Sequence, residues 1–200
     1  MAGPGVRIEE IEGEQLLGAL AALLAAKGIV TPAEITAQIA ATDTASPAQG
    51  ARMVAKAWTD PAYRVLMLAD GTRAAESLGI PMRGAPPLGV LEDTAGLHHL
   101  VVCTLCSCYP RAVLGYPPFW YKSAAYRARA VRDPRGVLAE WGTVLAPEVR
   151  LRIVDSTADY RWMVLPLRPP GTAGWSEERL ASLVRETDMI GVTLPEVPGG

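Results

Sequence analysis

The first third of the chain has the apolar spacing of helices. Apolar residues between Ile8 and Leu24 recur at roughly helical spacing, and Lys27-Gly28 supplies a stop. Thr31-Pro32-Ala33-Glu34 has the form of a capping box with proline at the first helical position. The predicted helices run over 8–27 and 31–41 and then, after a loop at 43–50, up to Trp58 and from Asp60-Pro61 to about Gly79.

Beyond a break rich in proline and glycine at 80–87, the pattern changes to short strands. Leu88–Leu91 and Leu100–Val102 are apolar runs of strand length. Val149–Val154 alternates apolar residues with arginine, which predicts a half-buried strand, and Arg161–Leu167 is its predicted pairing partner. Three further helices are predicted to begin at Ser123, at Asp133-Pro134 and at Ser176-Glu177-Glu178, the first two reaching about Val131 and Trp141.

These patterns predict an α+β fold with two regions. Residues 1–80 form a helical arm for subunit contact, and residues 81–200 form a compact layered α/β core that contains all the cysteines of the chain. The arm is rich in alanine, which packs closely and buries little area per residue. Its apolar face therefore lies either on another subunit or on the body of the same chain.

Composition and charge exclude several classes of protein. The chain has 200 residues, half of them apolar and 20% charged, as in a globular protein. A formal charge of −2 provides no general attraction for nucleic acid, and the basic stretch Arg127–Arg135 has no interleaved aromatic residues. The longest apolar run, Leu16–Ala26, is too short to cross a bilayer and follows glutamates where a signal peptide needs positive charge. We therefore expect a cytoplasmic protein that binds neither nucleic acid nor membranes.

All three cysteines of the chain lie in the single segment Cys103-Thr104-Leu105-Cys106-Ser107-Cys108. An odd number in one cluster argues against a disulfide framework, and neighbours this close cannot join distant parts of a fold. Thiolates are soft ligands, and this spacing places three of them within reach of one ion. The cluster therefore indicates a metal site or sulfur redox chemistry.

From spacing alone, three interpretations of the cluster remain open. A structural zinc site would need a fourth ligand, which His98 or His99 offers, although zinc sites usually draw on two separated pairs of ligands. Three buried free thiols are the second interpretation, and another metal is the third. For the two histidines, a hydrogen-bonded structural role is favoured over ligation, and strand alternation predicts that one of them faces inward.

The segment Val102–Pro110 resembles the metal claw of the nitrile hydratase alpha subunit, cobalt type, in the nitrile hydratase and thiocyanate hydrolase family. Five further blocks resemble the family in the family's order, so that the resemblance covers nearly the whole chain. They are Lys56-Ala57-Trp58 with Asp60–Tyr63, Trp120–Ser123, Asp133–Leu138, Gly174–Glu178 and Met189–Val192.

The resemblance implies one low-spin cobalt(III) ion per chain, with six ligands. The sulfurs of Cys103, Cys106 and Cys108 and the main-chain amides of Ser107 and Cys108 would hold it, and the sixth position would take water or substrate. Thr104 and Tyr109 resemble the cobalt-type rather than the iron(III)-type members. The family also oxidises two of these cysteines, which by position are Cys106 to the sulfinic acid and Cys108 to the sulfenic acid. Cys106, Ser107 and Cys108 are thus the expected catalytic residues.

The implied activity is that of a lyase that hydrates a nitrile to the amide, with the metal as a Lewis acid. The attacking group is either the Cys108 sulfenate oxygen or a water molecule that it activates. The resemblance also implies a hetero-oligomer in which a beta-type subunit, or more than one, supplies arginines to the oxidised cysteines.

Arg111 departs from the nitrile hydratase pattern, which has tryptophan there, and is a candidate for the substrate channel. Arginine at this point resembles the gamma subunit of thiocyanate hydrolase, whose substrate is an anion. A nitrile hydratase for a polar nucleoside nitrile fits as well, and Arg111 could instead simply face another subunit. The alternative functions are therefore a thiocyanate hydrolase subunit with the same cobalt claw and, outside the enzymes, a zinc-stabilised interaction module.

Overall fold

The first part of the chain is helical in the computed structural model, which describes residues 8–198. The helices are α1 (Ile8–Ala26), α2 (Pro32–Thr44), α3 (Pro47–Thr59), α4 (Pro61–Ala69) and α5 (Gly71–Ser77). The capping box of α2 is confirmed, because Thr31 Oγ1 accepts from the Glu34 amide at 3.1 Å and Glu34 Oε2 accepts from the Thr31 amide at 2.7 Å.

Two predicted boundaries in this part are wrong. The expected loop at 43–50 is almost entirely helical, because α2 continues to Thr44 and α3 begins at Pro47. The expected single helix from Asp60 to Gly79 is two helices. Asp70 has an extended backbone and its carboxylate accepts from the Arg73 amide, so it ends α4 and caps α5.

The second part mixes strands with short helices, which confirms the α+β class. Ser123, Asp133 and Ser176 each accept a hydrogen bond from an amide of the helix that follows, as their side chains predict. The elements are β1 (Leu88–Glu92), β2 (Leu97–Val102), α6 (Arg111–Leu114), α7 (Phe119–Lys122), α8 (Ala124–Arg132), α9 (Pro134–Glu140), β3 (Arg150–Asp155), β4 (Arg161–Leu165), α10 (Glu177–Ala181) and a 3₁₀ turn at Asp188–Ile190.

The predicted pairing of Val149–Val154 with Arg161–Leu167 is wrong. β3 pairs in parallel with β2, with Val102 opposite Asp155, and β4 pairs in parallel with β1. Burial explains the choice. β4 ends in the fully buried run Met163–Leu165, which needs a buried partner such as β1, whereas β3 alternates half-buried and exposed residues. The carboxyl ends of β2 and β3 therefore meet at one point.

The chain divides into two units, Met1–Asp43 and Thr44–Gly200. The predicted division at residue 80 stays a prediction. The core of the second unit is built on the buried residues of β2 and β4 and on apolar side chains of α3, α6 and α9, among them Met53, Leu100, Leu114, Leu138 and Met163. Along residues 8–198 we find no helix with the length and apolarity needed to span a bilayer.

His98 and His99 are both buried, so the prediction that only one faces inward is wrong. Asp93 lies between them: its Oδ2 is 2.9 Å from His98 Nδ1, and its Oδ1 is 2.9 Å from His99 Nδ1 and accepts from the His99 amide. His98 Nε2 also lies 2.8 Å from the Gly191 carbonyl oxygen. The hydrogen-bonded structural role expected for these histidines is what the structure shows.

Asp93→Asn is expected to lower the free energy of unfolding by about 2 to 4 kcal/mol near pH 5.5. Burial alone would raise the pKa of Asp93, but hydrogen bonds from His98 and His99 outweigh it and lower that pKa below 3.8. Burial likewise opposes the charge of His98, yet Asp93 raises the pKa of His98 above 6.5.

The ion pair therefore stabilises the fold above about pH 3.8 and below about pH 6.5, and its contribution falls as the pH rises through the folded pKa of His98. Urea unfolding of the variant and the native chain at pH 5.5 and pH 9 measures this. A deficit of equal size at both pH values would contradict the assignment of an ion pair.

Candidate metal centre

The claw, residues 103–108, begins where two parallel strands end together. Val102 is the last residue of β2, and its carbonyl accepts from the Ser156 amide at 2.7 Å, just beyond the end of β3. The chain then runs without regular structure to α6, which begins at Arg111. The claw is thus held at its base by a strand that is buried from His98 onward, and it is free of ladder hydrogen bonds along its own length.

The structure brings the three cysteine sulfurs of the claw together. The Sγ atom of Cys106 lies 3.5 Å from that of Cys103 and 3.2 Å from that of Cys108, and all three lie within 4.8 Å of one another. Cys103 and Cys108 are buried and Cys106 is exposed. No histidine joins this cluster in the part of the chain that the structure describes.

The cluster shifts the pKa values of two of its thiols in opposite directions. Hydrogen bonds from the Cys108 and Cys103 thiols, and then from the Ser107 amide, lower the pKa of Cys106 to about 7. Burial, followed by the contact with Cys106, raises the pKa of Cys108 to about 12. The Cys106 amide donates to the Cys103 sulfur at 3.2 Å, so a main-chain N–H of the claw points into the cluster. Near neutral pH the exposed sulfur is the first to ionise.

Side chains outside the claw fix its main chain. Asp155, at the end of β3, accepts from the amide of Thr104 at 3.0 Å and from its hydroxyl. The Tyr121 hydroxyl donates to the Cys108 carbonyl at 2.9 Å, and the Tyr109 hydroxyl donates to Glu186. The rings of Tyr109 and Tyr121 pack edge to face with centroids 4.9 Å apart. The claw is therefore held at its first turn and at its last residue.

Two arginines approach the claw. Arg127 Nη1 donates to the Leu105 carbonyl at 2.7 Å and to the Thr104 carbonyl at 3.4 Å. Arg161, the first residue of β4, has a positive charge that acts against the rise in the pKa of Cys108. Arg127 Nε and Arg161 Nη1 are buried and have no hydrogen-bond partner within residues 8–198.

Arg111 lies three residues beyond Cys108, exposed at the start of α6, with its guanidinium carbon 4.5 Å from the centre of the Tyr116 ring. Of the basic stretch that follows, most side chains bind within the chain. Arg129 pairs with Glu140 at 2.6 Å, and Arg135 donates to carbonyls of residues 145–149. Arg129 and Arg135 are therefore tied to their own chain by an ion pair and by hydrogen bonds to main-chain carbonyls.

Sequence reasoning missed the residues around the claw. Asp155 could have been predicted, because the register Val102↔Asp155 places it beside Cys103 once β2 and β3 are paired correctly. Arg127 and Tyr121 reach the claw from helices 13 or more residues away. No local signal marks such contacts.

Three thiols on one loop of an α+β chain, which no histidine or carboxylate joins within residues 8–198, form a candidate metal site of the thiolate type. The family model described as nitrile hydratase, alpha chain, matches residues 11–193. This chain belongs to that family.

Relatives in the family divide between two named enzymes. The chain is 48% identical over 181 residues to the alpha subunit of the low-molecular weight cobalt-containing nitrile hydratase of Rhodococcus rhodochrous, covering 90% of this chain and 87% of the relative. It is 42% identical over 208 residues to the gamma subunit of thiocyanate hydrolase of Thiobacillus thioparus, covering 98% and 85%. Among solved structures, a variant of the Fe-type nitrile hydratase of Comamonas testosteroni superposes with a TM-score of 0.82, at 43% identity, over 94% of this chain and 92% of that chain.

Proposed function

We propose that this chain is the metal-binding catalytic subunit of a cobalt-type nitrile hydratase, a hydro-lyase that converts a nitrile to the amide. The observation that carries the proposal is the convergence of three cysteine sulfurs on one loop. The identity of 48% to a cobalt-containing nitrile hydratase subunit supports cobalt over iron.

Three thiols on one loop, with neighbouring sulfurs 3.2 and 3.5 Å apart, fit the binding of a single thiophilic ion. The sulfurs of Cys103, Cys106 and Cys108 and the amide nitrogens of Ser107 and Cys108 would hold the ion. Bound there, cobalt(III) would supply Lewis acidity to a carbon–nitrogen triple bond.

The chain's own residues give the site its shape and exclude water from one side. Cys103 and Cys108 are buried, so the claw opens to its surroundings on the side of Cys106. Asp155 and Tyr121 fix the main chain on either side of that opening, which orients the donors before any ion binds. A substrate would reach the claw on the open side, where Leu105 is also exposed.

Cys106 is the residue best placed for oxidation to the sulfinic acid, because it is exposed and its pKa is about 7. Cys108 is proposed to carry the sulfenic acid, whose oxygen, or a water molecule that it activates, attacks the substrate carbon. The oxygens that oxidation adds to the Cys106 and Cys108 sulfurs are anionic and need charge-assisted hydrogen-bond donors. A beta-type subunit in the assembled enzyme would supply further arginines for them. We expect the assembly to be cytoplasmic.

Thiocyanate hydrolysis is the second candidate activity. The match to the thiocyanate hydrolase gamma subunit covers 98% of the chain, and Arg111 places an exposed cation three residues beyond the claw. Thiocyanate is an anion, which a guanidinium near the entrance would attract, whereas a neutral nitrile gains nothing from that charge.

The activity of the assembled enzyme on a nitrile and on thiocyanate tests the proposal. Amide formation from the nitrile at the higher kcat/KM supports the nitrile hydratase. A higher kcat/KM on thiocyanate would assign the second activity. A complex with zinc and unmodified cysteines, inactive on both substrates, would contradict both and favour an interaction module.

Arg111→Leu is expected to change the two activities in opposite directions. Removing the cation lowers kcat/KM for thiocyanate by about tenfold, since one charge near a channel is worth about 1.4 kcal/mol, and leaves kcat/KM for a neutral nitrile equal or higher. Steady-state kinetics of the assembled enzyme measures both values. Arg132→Leu, which removes an exposed arginine of α8, is the control for net charge. Equal losses on both substrates would show that Arg111 has a structural or subunit-contact role instead.

A further inference from the structure

Arg127 binds the main chain of the claw between two of its cysteines. Its Nη1 atom donates to the carbonyls of Leu105 and Thr104, at 2.7 and 3.4 Å. Asp155 binds the amide and hydroxyl of the same Thr104. A cation and an anion therefore bind the carbonyl and amide groups of one two-residue segment, and that segment leads directly into Cys106.

The guanidinium of Arg127 retains a second donor that the fold does not use. Its Nε atom is buried and has no hydrogen-bond partner in the described part of the chain. A buried donor on a charged group that lacks an acceptor is costly, and such a group is usually paired. Because the guanidinium is planar and rigid, Nε lies within about 5 Å of the Leu105 carbonyl oxygen that Nη1 binds. The next residue in the chain is Cys106.

Oxidation of the Cys106 thiolate by dioxygen, which is reduced as both of its oxygen atoms are transferred to the sulfur, would create the missing acceptor as a sulfinate. The thiol is exposed, whereas those of Cys103 and Cys108 are buried. A sulfinate carries a negative charge on two oxygens, as a carboxylate does, and hydrogen bonds from a guanidinium to such a group are among the strongest in proteins. An unmodified thiol is a poor acceptor by comparison.

We propose that Arg127 is a positioning residue of the claw, which holds the Thr104–Leu105 carbonyls through Nη1 and donates Nε–H to a sulfinate oxygen on Cys106. One of the charge-assisted partners of the oxidised cysteines then comes from this chain itself, before any partner subunit binds. This inference rests on the proposed function, because it requires a claw that binds metal and is oxidised.

Two substitutions separate the two parts of the proposal. Arg127→Lys keeps a cation that can reach the Leu105 carbonyl but has no donor at the position of Nε, and Arg127→Met removes both the cation and that donor. Arg132→Met, in the same helix α8 and exposed, is the matched control. Each variant is expressed with its partner subunits in cobalt-containing medium. Cobalt per chain is measured by elemental analysis, and the claw peptide is weighed for the gain of about 32 Da that a sulfinate adds.

Arg127→Lys is expected to bind cobalt as the native chain does, while its fraction of Cys106 sulfinate falls severalfold. Arg127→Met is expected to lose about tenfold or more in cobalt content and to weaken the sulfur-to-metal absorption band accordingly. Native sulfinate content in Arg127→Lys would overturn the role of Nε, and native cobalt content in a folded Arg127→Met would overturn the role of Nη1.

If circular dichroism shows that Arg127→Met is unfolded, the sulfinate content and the sulfur-to-metal absorption band of Arg127→Lys test the proposal by themselves. A native complex without cobalt or without oxidised cysteines would refute the proposed function. A native complex with cobalt and oxidised cysteines, together with Arg127 variants that have the same cobalt and sulfinate content, would refute only the role of Arg127.

Discussion

Cys103→Ala, Cys106→Ala and Cys108→Ala are each expected to abolish metal retention and turnover together. Each substitution removes one of three sulfurs that lie within 4.8 Å of one another, and no histidine or carboxylate within residues 8–198 joins the cluster to replace it. We expect activity to fall by about 10³-fold or more, because both ligation and substrate activation depend on the complete set. Elemental analysis and initial rates on the same preparation measure the two losses.

Ser107→Ala is the matched control within the claw. The proposed ligand from residue 107 is its main-chain nitrogen, which alanine also provides, so cobalt content should stay native while turnover falls modestly. Full activity in any one of the three cysteine variants would show that the claw is not the active site. Complete loss of cobalt in Ser107→Ala would argue against ligation by the main chain.

Gly191→Ala is expected to destabilise the fold by about 4 kcal/mol or more. Gly191 has φ +78°, in the left-handed region, and a Cβ atom there would lie 1.8 Å from the carbonyl oxygen of His99. Its own carbonyl accepts from His98, so a shift of the Gly191 turn would also disturb the Asp93 ion pair. Thermal and urea unfolding measure the loss.

Gly171→Ala separates crowding from backbone strain. Gly171 has nearly the same φ, +77°, but a Cβ atom there would meet nothing within 4 Å. Its expected cost is only about 1 kcal/mol, from the left-handed conformation alone. If the two alanine variants were equally stable, close packing of the Gly191 turn against β2 would not be the reason that glycine is required at this position.

Local chemistry accounts for what the sequence predicted well. The capping box at Thr31, the caps at Ser123 and Asp133, and the clustering of three thiols all depend on residues within a few positions of one another. Helix starts of this kind are set by side-chain hydrogen bonds to nearby amides, which spacing reveals. The resemblance to the nitrile hydratase family, confirmed by the match over residues 11–193, added the chemistry of the claw.

Tertiary contacts account for what the sequence did not predict. Strand alternation correctly placed β3 and β4 but could not pair them, because partners are chosen by which faces the rest of the fold buries. The burial of both His98 and His99 depends on Asp93, which lies outside their strand. Asp155 and Arg127 act on the claw across 51 and 22 residues of sequence. Positioning residues of this kind carry no motif.

X-ray absorption at the metal edge of the assembled enzyme tests the central claim most directly. We predict one cobalt ion per chain in the trivalent low-spin state, bound by the three sulfurs of Cys103, Cys106 and Cys108 and by nitrogen atoms that no histidine provides. A four-coordinate zinc ion in place of cobalt, with unoxidised sulfurs and a histidine nitrogen in its shell, would contradict it.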